Sequence, residues 1–178
     1  MTTWFTSDLH LGHNNIIKYS NRPFANVDEM DRAIIDNWNS KVAQYDVVRF
    51  LGDFCFSDLE KGQRYFDQLN GIKHLTVGNH DKTAVQIKGW KSINHFEEVK
   101  IDGQNIVLCH YAMRVWNKSH YGAWMLYGHS HGSLPDDPNA LSIDVGVDCH
   151  NYMPLNLDDI GRIMNKKTWK PIDHHGEK

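Results

Sequence analysis

Five times along this 178-residue sequence an apolar run of strand type ends abruptly in a short turn carrying Asp, Asn or His. Thr2 to Thr6, β-branched and aromatic, runs into Ser7, Asp8, Leu9, His10, Leu11, Gly12 and His13. Asp46 to Leu51 ends in Gly52 and Asp53, and Lys73 to Val77 ends in Gly78, Asn79, His80 and Asp81. Asn105 to Cys109 ends in His110, and Ala123 to Tyr127 ends in Gly128, His129, Ser130 and His131. A strand that stops in such a turn delivers its polar side chains to the end of a sheet, where they meet solvent and one another.

The segments between the first three units have helical periodicity. From Val27 to Val42, the residues Met30, Ile34, Ile35, Trp38 and Val42 form an apolar stripe, with Asp28, Glu29 and Asp31 in the dipole-favoured first turn. From Asp58 to Leu69, Leu59, Tyr65, Phe66 and Leu69 do the same, and Asn70-Gly71 supplies the stop. Strands joined by helices predict a mostly parallel sheet, so the first half is α/β. In the second half, Val99 to Ile101 and Asn105 to Cys109 flank Asp102-Gly103-Gln104 as a hairpin, with further strands at Ala123 to Tyr127 and Leu141 to Val147. That half reads as antiparallel. Gly128 to Asn139 reads as a loop, and Leu155 to Met164 as a last short helix. One domain over 1–172 is expected, followed by a polar tail at 173–178.

Bulk chemistry excludes several classes. No apolar run approaches the roughly 20 residues that span a bilayer, and the first residues carry neither a basic nor an apolar leader pattern. Three cysteines, Cys55, Cys109 and Cys149, give no paired spacing for a disulfide framework, so small buried packing and a reducing cytoplasm are the expectation. A formal charge of -3 provides no chain-wide basic field for a nucleic-acid duplex. Twelve histidines are the unusual figure, since imidazole is the commonest protein metal ligand.

In extended backbone, Asp8 and His10 point to one side and can converge on one ion, and His129 and His131 have the same geometry. Either pair alone is commonplace. Asp53 alone would be a turn-capping carboxylate, and His110 alone a satisfied core histidine. Asn79, His80 and Asp81 bring together a hard oxygen ligand, a proton carrier and a group able to orient it. Five such clusters, each at the end of an apolar run, make a concerted site the better reading.

Asp-x-His, Gly-Asp, Gly-Asn-His-Asp, a strand-terminal His and Gly-His-x-His occur here in the order found in calcineurin-like metallophosphoesterases, and from Asp8 to His131 the sequence resembles that family. The resemblance implies an α/β fold, a four-layer αββα sandwich with two mixed sheets and the motifs at one end. It implies two divalent metal ions, with manganese, iron and zinc the leading candidates. Asp8, His10 and His131 would hold one ion, Asn79, His110 and His129 the other, and Asp53 would bridge them. His80 would be the catalytic histidine, oriented by Asp81. The expected reaction is hydrolysis of a phosphomonoester or small phosphodiester, two dications clamping the attacking and leaving oxygens.

Small phosphoesterases of this kind often carry a His and an Arg where His13 and Arg22 stand, which points to His13, Asn14 and Arg22 as contacts for the substrate phosphate. A helix-capping Asn and a solvated Arg remain equal alternatives. Asp144 and Asp148 could each accept a hydrogen bond from a ligand imidazole, against the commoner reading of turn carboxylates. Tyr111, Trp116 and Trp124 could wall a pocket near His110 or belong to the core. His74, His95, His120, His150, His174 and His175 gain no role from spacing. The expected partner is a small phosphate ester, nucleotides included, with no membrane and no duplex nucleic acid. A nuclease or cyclic-nucleotide phosphodiesterase is the alternative enzyme, and a scaffold that has lost its chemistry is the alternative class.

Overall fold

In the computed structural model, which describes residues 1–172, Thr3–Thr6 (β1) turns Trp4 toward one core and Phe5 toward another. The strand is therefore covered on both faces, which is why it reads as a continuous apolar run. It pairs in parallel with Val47–Phe50 (β2), which pairs in parallel with Ile72–Thr76 (β3) and that with Ser92–Asn94 (β4). The short strand Leu155–Asn156 (β9) closes the other edge antiparallel to β1, giving the order β4-β3-β2-β1-β9. Four α-helices accompany the two sheets among the described residues: Ile16–Tyr19 (α1), Val27–Lys41 (α2), Leu59–Gln68 (α3) and Leu157–Met164 (α4).

Helices α2 and α3 cover one face of this sheet. Met30, Ile34 and Trp38 of α2 and Tyr65 and Phe66 of α3 meet Trp4, Val48, Phe50 and Leu75 in a single cluster. Asn26 and Asp58 cap the two helices by accepting from the Glu29 and Lys61 amides, each satisfying an N–H that the helix leaves unpaired. The other face supplies Phe5 and Leu51 to a second core with Ile106, Leu108, Met125 and Leu126 of the second sheet and Ile160 and Met164 of α4.

The second sheet runs Phe96–Ile101 (β5), Gln104–Cys109 (β6), Trp124–Tyr127 (β7) and Ser142–Asp144 (β8). The expected hairpin is present as β5 and β6. The expectation of an antiparallel second half fails beyond it, because β6–β7 and β7–β8 are both parallel. The segments after β6 and β7 are long enough to carry the chain back to the end where each strand began, which a tight turn cannot do. Both sheets are thus mixed, and β1, β2, β3, β6 and β7 deliver their carboxyl ends to the same region. A parallel bridge between Ser7 and Gly146 ties the segment after β1 to the one after β8.

The three cysteines form no disulfide. Cys55 is buried as expected, whereas Cys149 is exposed. No helix is long and apolar enough to cross a membrane among the described residues.

Candidate metal centre

The turns beyond β1, β2 and β7 hold their ligand-type residues in a demanding backbone conformation. Asp8 (φ 60°), His10 (φ 52°), Asp53 (φ 61°), His129 (φ 68°) and His131 (φ 47°) all lie in the left-handed region. Such residues cost about 1–3 kcal/mol each and persist where surroundings over-determine them, typically at functional sites. Here the Asp8 amide donates to the Gly52 carbonyl at 2.9 Å and the His10 amide to the Asp53 carbonyl at 3.0 Å, locking the first two turns together. Two glycines allow the close approach. A Cβ on Gly52 would lie 2.6 Å from His110 Nδ1, and one on Gly128 would lie 2.3 Å from Ser7 Oγ and 2.5 Å from Asp8 Oδ2.

Two groups of ligand atoms result. Asp8, His10 and His131 form one, and Asp53, His110 and His129 the other, with the ligand atoms in each group within 4.8 Å of one another. Asp53 lies between them, its Oδ2 3.5 Å from His10 Nε2 and 3.6 Å from His110 Nε2. The Asn79 amide oxygen lies 3.0 Å from both His110 Nε2 and His129 Nδ1. His110 Nδ1 is 2.7 Å from the Leu51 carbonyl, and donation there leaves Nε2 with its lone pair toward the site. All seven residues expected to hold metal therefore converge.

Electrostatics give an independent reason for a cation here. Asp8 is completely buried, and burial pushes its carboxyl up to about 8 despite His131 and the Ser7 hydroxyl, which favour the anion. Burial, with the neighbouring His131 and Arg22 cations, drives His10 down to about 2. Both His10 ring nitrogens are buried without a hydrogen-bond partner. An orphaned imidazole facing a buried carboxylate is costly in a metal-free pocket and suited to a dication, which would take the lone pair and neutralise the carboxylate. The donor set of imidazoles, carboxylates and one amide oxygen fits divalent transition metals.

His80 stands exposed beside this cluster, its ring 5.5 Å from that of His10 and 5.9 Å from Phe56. The expected orientation of His80 by Asp81 is not found. Asp81 is buried and accepts from the amides of Asp53 (2.9 Å), Phe54 (2.9 Å) and Gly78 (2.7 Å), so its oxygens are committed to the backbone of two motif turns. It anchors the backbone of the site.

Arg22 likewise departs from the reading as a phosphate contact. Its side chain is 0% exposed, pairs with Asp148 and donates to the carbonyls of Asp8 and Leu9, so it neither faces a substrate nor meets solvent. His13 does border the cleft, 5.4 Å from the His10 ring and stacked on Phe56 at 4.5 Å. Asn14 is exposed and caps no helix, the position before α1 being Asn15. Of the two carboxylates considered as imidazole partners, Asp148 meets His131 Nδ1 at 2.6 Å, while Asp144 accepts from the amides of Gly132 and Gly146. Trp116 and Trp124 join the second core, whereas Tyr111 is 47% exposed with its ring 4.7 Å from that of His129.

Three contributors carry no spacing signal in the sequence. Ser7 donates to Asp8 Oδ2 at 2.6 Å. Asp31 of α2 accepts from the Gly12 amide and from the Tyr65 hydroxyl of α3, pinning the turn that carries His10 and His13. Phe56 is 54% exposed at the edge of a concavity that Ser57, Asn79, His80, Lys82 and Thr83 also line. An aromatic soon after the Gly-Asp motif was the available hint for Phe56.

The fold is α/β with two mixed sheets, as expected, and the five motifs gather at the end that the sheets share. The chain belongs to one family with the uncharacterized protein MJ1445 of Methanocaldococcus jannaschii, 35% identical over 170 residues that cover 92% of this chain and 91% of that one. The gene 66 protein of Mycobacterium phage D29 is 26% identical over 197 residues, covering 91% and 95%. The crystal structure of AQ665, a protein of unknown function from Aquifex aeolicus, superposes with a TM-score of 0.70 at 23% identity over 91% of this chain and 98% of that one, a likeness of fold. No family model matches the chain.

Proposed function

We propose that this chain is a two-metal phosphoesterase that hydrolyses a small phosphate ester. The observation that carries the reading is the convergence of seven ligand-type side chains around the buried Asp53 carboxylate, with His80 exposed beside them. Asp8, His10 and His131 would hold one ion and Asn79, His110 and His129 the other, with Asp53 shared, and manganese, iron or zinc would suit these donors. Bound dications supply Lewis acidity toward phosphoryl oxygens and a nucleophile drawn from water at neutral pH.

The chain's own groups do the rest. Asp81 and the Gly52–Gly78 contact keep the two turns in register, so the ligand geometry exists before substrate arrives. Among the described residues no hydrogen bond holds the His80 ring, whose backbone amide alone is tied, to Asp53, and the imidazole can carry a proton to the departing ester oxygen. The concavity bounded by Phe56, Ser57, Lys82 and Thr83 lies on the His80 side and is where a leaving group would rest. The exposed rings of Phe56 and Tyr111 favour esters whose alcohol carries a planar ring, and nucleotides are within that class.

The test is a panel of phosphate esters with added manganese, including a p-nitrophenyl monoester and its bis-ester, with metal content measured on the same sample. His80→Ala should lower turnover by about 10²–10⁴ while both ions remain. Loss of metal from a folded His80→Ala chain would make His80 a ligand, and a metal-loaded wild type inert toward every ester would leave a binding role.

A further inference from the structure

We infer that Arg22 and Asp148 are positioning residues that set the cation affinity of the Asp8/His10/His131 position and leave the Asn79/His110/His129 position alone. The inference rests on the two-metal reading above and concerns residues that touch neither ion.

Arg22 uses its whole guanidinium. Nε and one terminal nitrogen grip Asp148 Oδ1 and Oδ2, each at 2.8 Å, and the latter nitrogen also donates to the Asp8 carbonyl at 2.7 Å. The other terminal nitrogen donates to the Leu9 carbonyl at 2.9 Å and meets Met30 Sδ at 3.4 Å. A guanidinium has five N–H donors in a fixed fork, and each has an acceptor here, whereas a lysine ammonium would offer three donors and no plane. The group thus clamps the backbone of the Asp8–His10 turn, two of whose residues lie in the left-handed region.

Asp148 transmits the clamp to a third ligand. Its Oδ2, held by Arg22, also accepts from His131 Nδ1 at 2.6 Å, which presents Nε2 to the site, 4.0 Å from Asp8 Oδ1. A buried ion pair is close to neutral for stability when weighed against an apolar replacement, so its retention calls for another use. A carboxylate behind a ligand imidazole fixes its tautomer and raises its basicity. The second position has no such support: His110 leans on the neutral Leu51 carbonyl, and among the described residues neither Arg22 nor Asp148 bonds to Asn79, His110 or His129. The effect is therefore one-sided.

Manganese titration of metal-free protein, read by calorimetry and by the free-ion electron spin signal, tests this. Wild type should bind in two steps. Asp148→Asn and Arg22→Lys should each weaken one step by roughly 10–100-fold and leave the other within about threefold, as expected for loss of support behind one ligand. Combining Asp148→Asn with His131→Ala should add no further loss, whereas combining it with His129→Ala should add fully. Asparagine preserves the size of the side chain and one acceptor for Arg22, so this variant carries the test if Arg22→Lys loses its metal-free circular dichroism. Two unchanged steps, or two equally weakened steps in a folded variant, would overturn the inference while leaving the phosphoesterase reading standing. A wild-type chain that takes up no manganese would remove both.

Discussion

Asp81 shows how much one side chain decides here. Three backbone amides from two turns converge on its carboxylate, and hydrogen bonds to a buried charge contribute about 1.5–3 kcal/mol. Asp81→Asn should therefore lower unfolding free energy by about that amount in urea titrations. Loss of turnover with stability unchanged would instead restore Asp81 as the partner of His80. Asp8 and His10 set the response to pH in the metal-free chain. Burial raises Asp8 to about 8, so its cost to folding grows from its unfolded value near 4 up to that point. Burial lowers His10 to about 2, and its contribution grows with pH until its unfolded value near 6.5. The two oppose each other below about 6.5, and above it, of the two, only Asp8 titrates, with the raised His131 acting in the same direction. Metal-free stability should fall by about 2 kcal/mol from pH 6.5 to 8, while manganese affinity rises because binding displaces the Asp8 proton. Denaturant titrations in chelator at the two pH values check this, and a flat or rising stability would contradict it. The ligand types of this site were legible in the sequence because each stands at a strand end. The directions in which Arg22 and Asp81 point were not, since a residue's partner across the fold leaves no local mark.

At the scale of elements, the turns matter more than the strands that lead into them. Gly128 lets the turn after β7 lie against Ser7 and Asp8, and a methyl group there has no room to relax, because both neighbours are themselves buried. Gly128→Ala should cost about 1–3 kcal/mol, as overpacking does, and remove metal from the Asp8 position. Gly161→Ala in α4 is the control, because its Cβ would meet Trp124 at an ordinary 3.5 Å and helix propensity improves, so melting should hold or rise. Equal behaviour of the two variants in thermal melts and metal analysis would refute the close-approach argument. Helices α2 and α3 could be read from their period, and strands β1, β2 and β3 from apolar runs that end in polar turns. The brief elements α1, β4 and β9 could not, being shorter than the windows in which a period registers. Parallel pairing of β6, β7 and β8 escaped for a different reason: orientation is set by the path of the connecting chain, and the apolar pattern of a strand is the same in either direction.

Across the whole molecule, the candidate metal centre lies where the ends of the two sheets meet. Asp8, His10, Asp53 and Asn79 come from the ends of the first, and His110, His129 and His131 from the ends of the second. A cation held by both sets binds the native chain and not the unfolded one, so it should stabilise by about 2.7 kcal/mol at a free concentration one hundred times its dissociation constant. The motif order along the chain announced this convergence, because five clusters carried to one end of a fold have few other uses. The surface around the candidate centre was not legible in the same way, since the exposed Phe56 and Tyr111 gave no periodic signal. The decisive measurement is anomalous diffraction from crystals of the chain grown with manganese. Two peaks flanking the Asp53 carboxylate are predicted, one against Asp8, His10 and His131 and the other against Asn79, His110 and His129. Manganese peaks elsewhere, or none at Asp53, would contradict it.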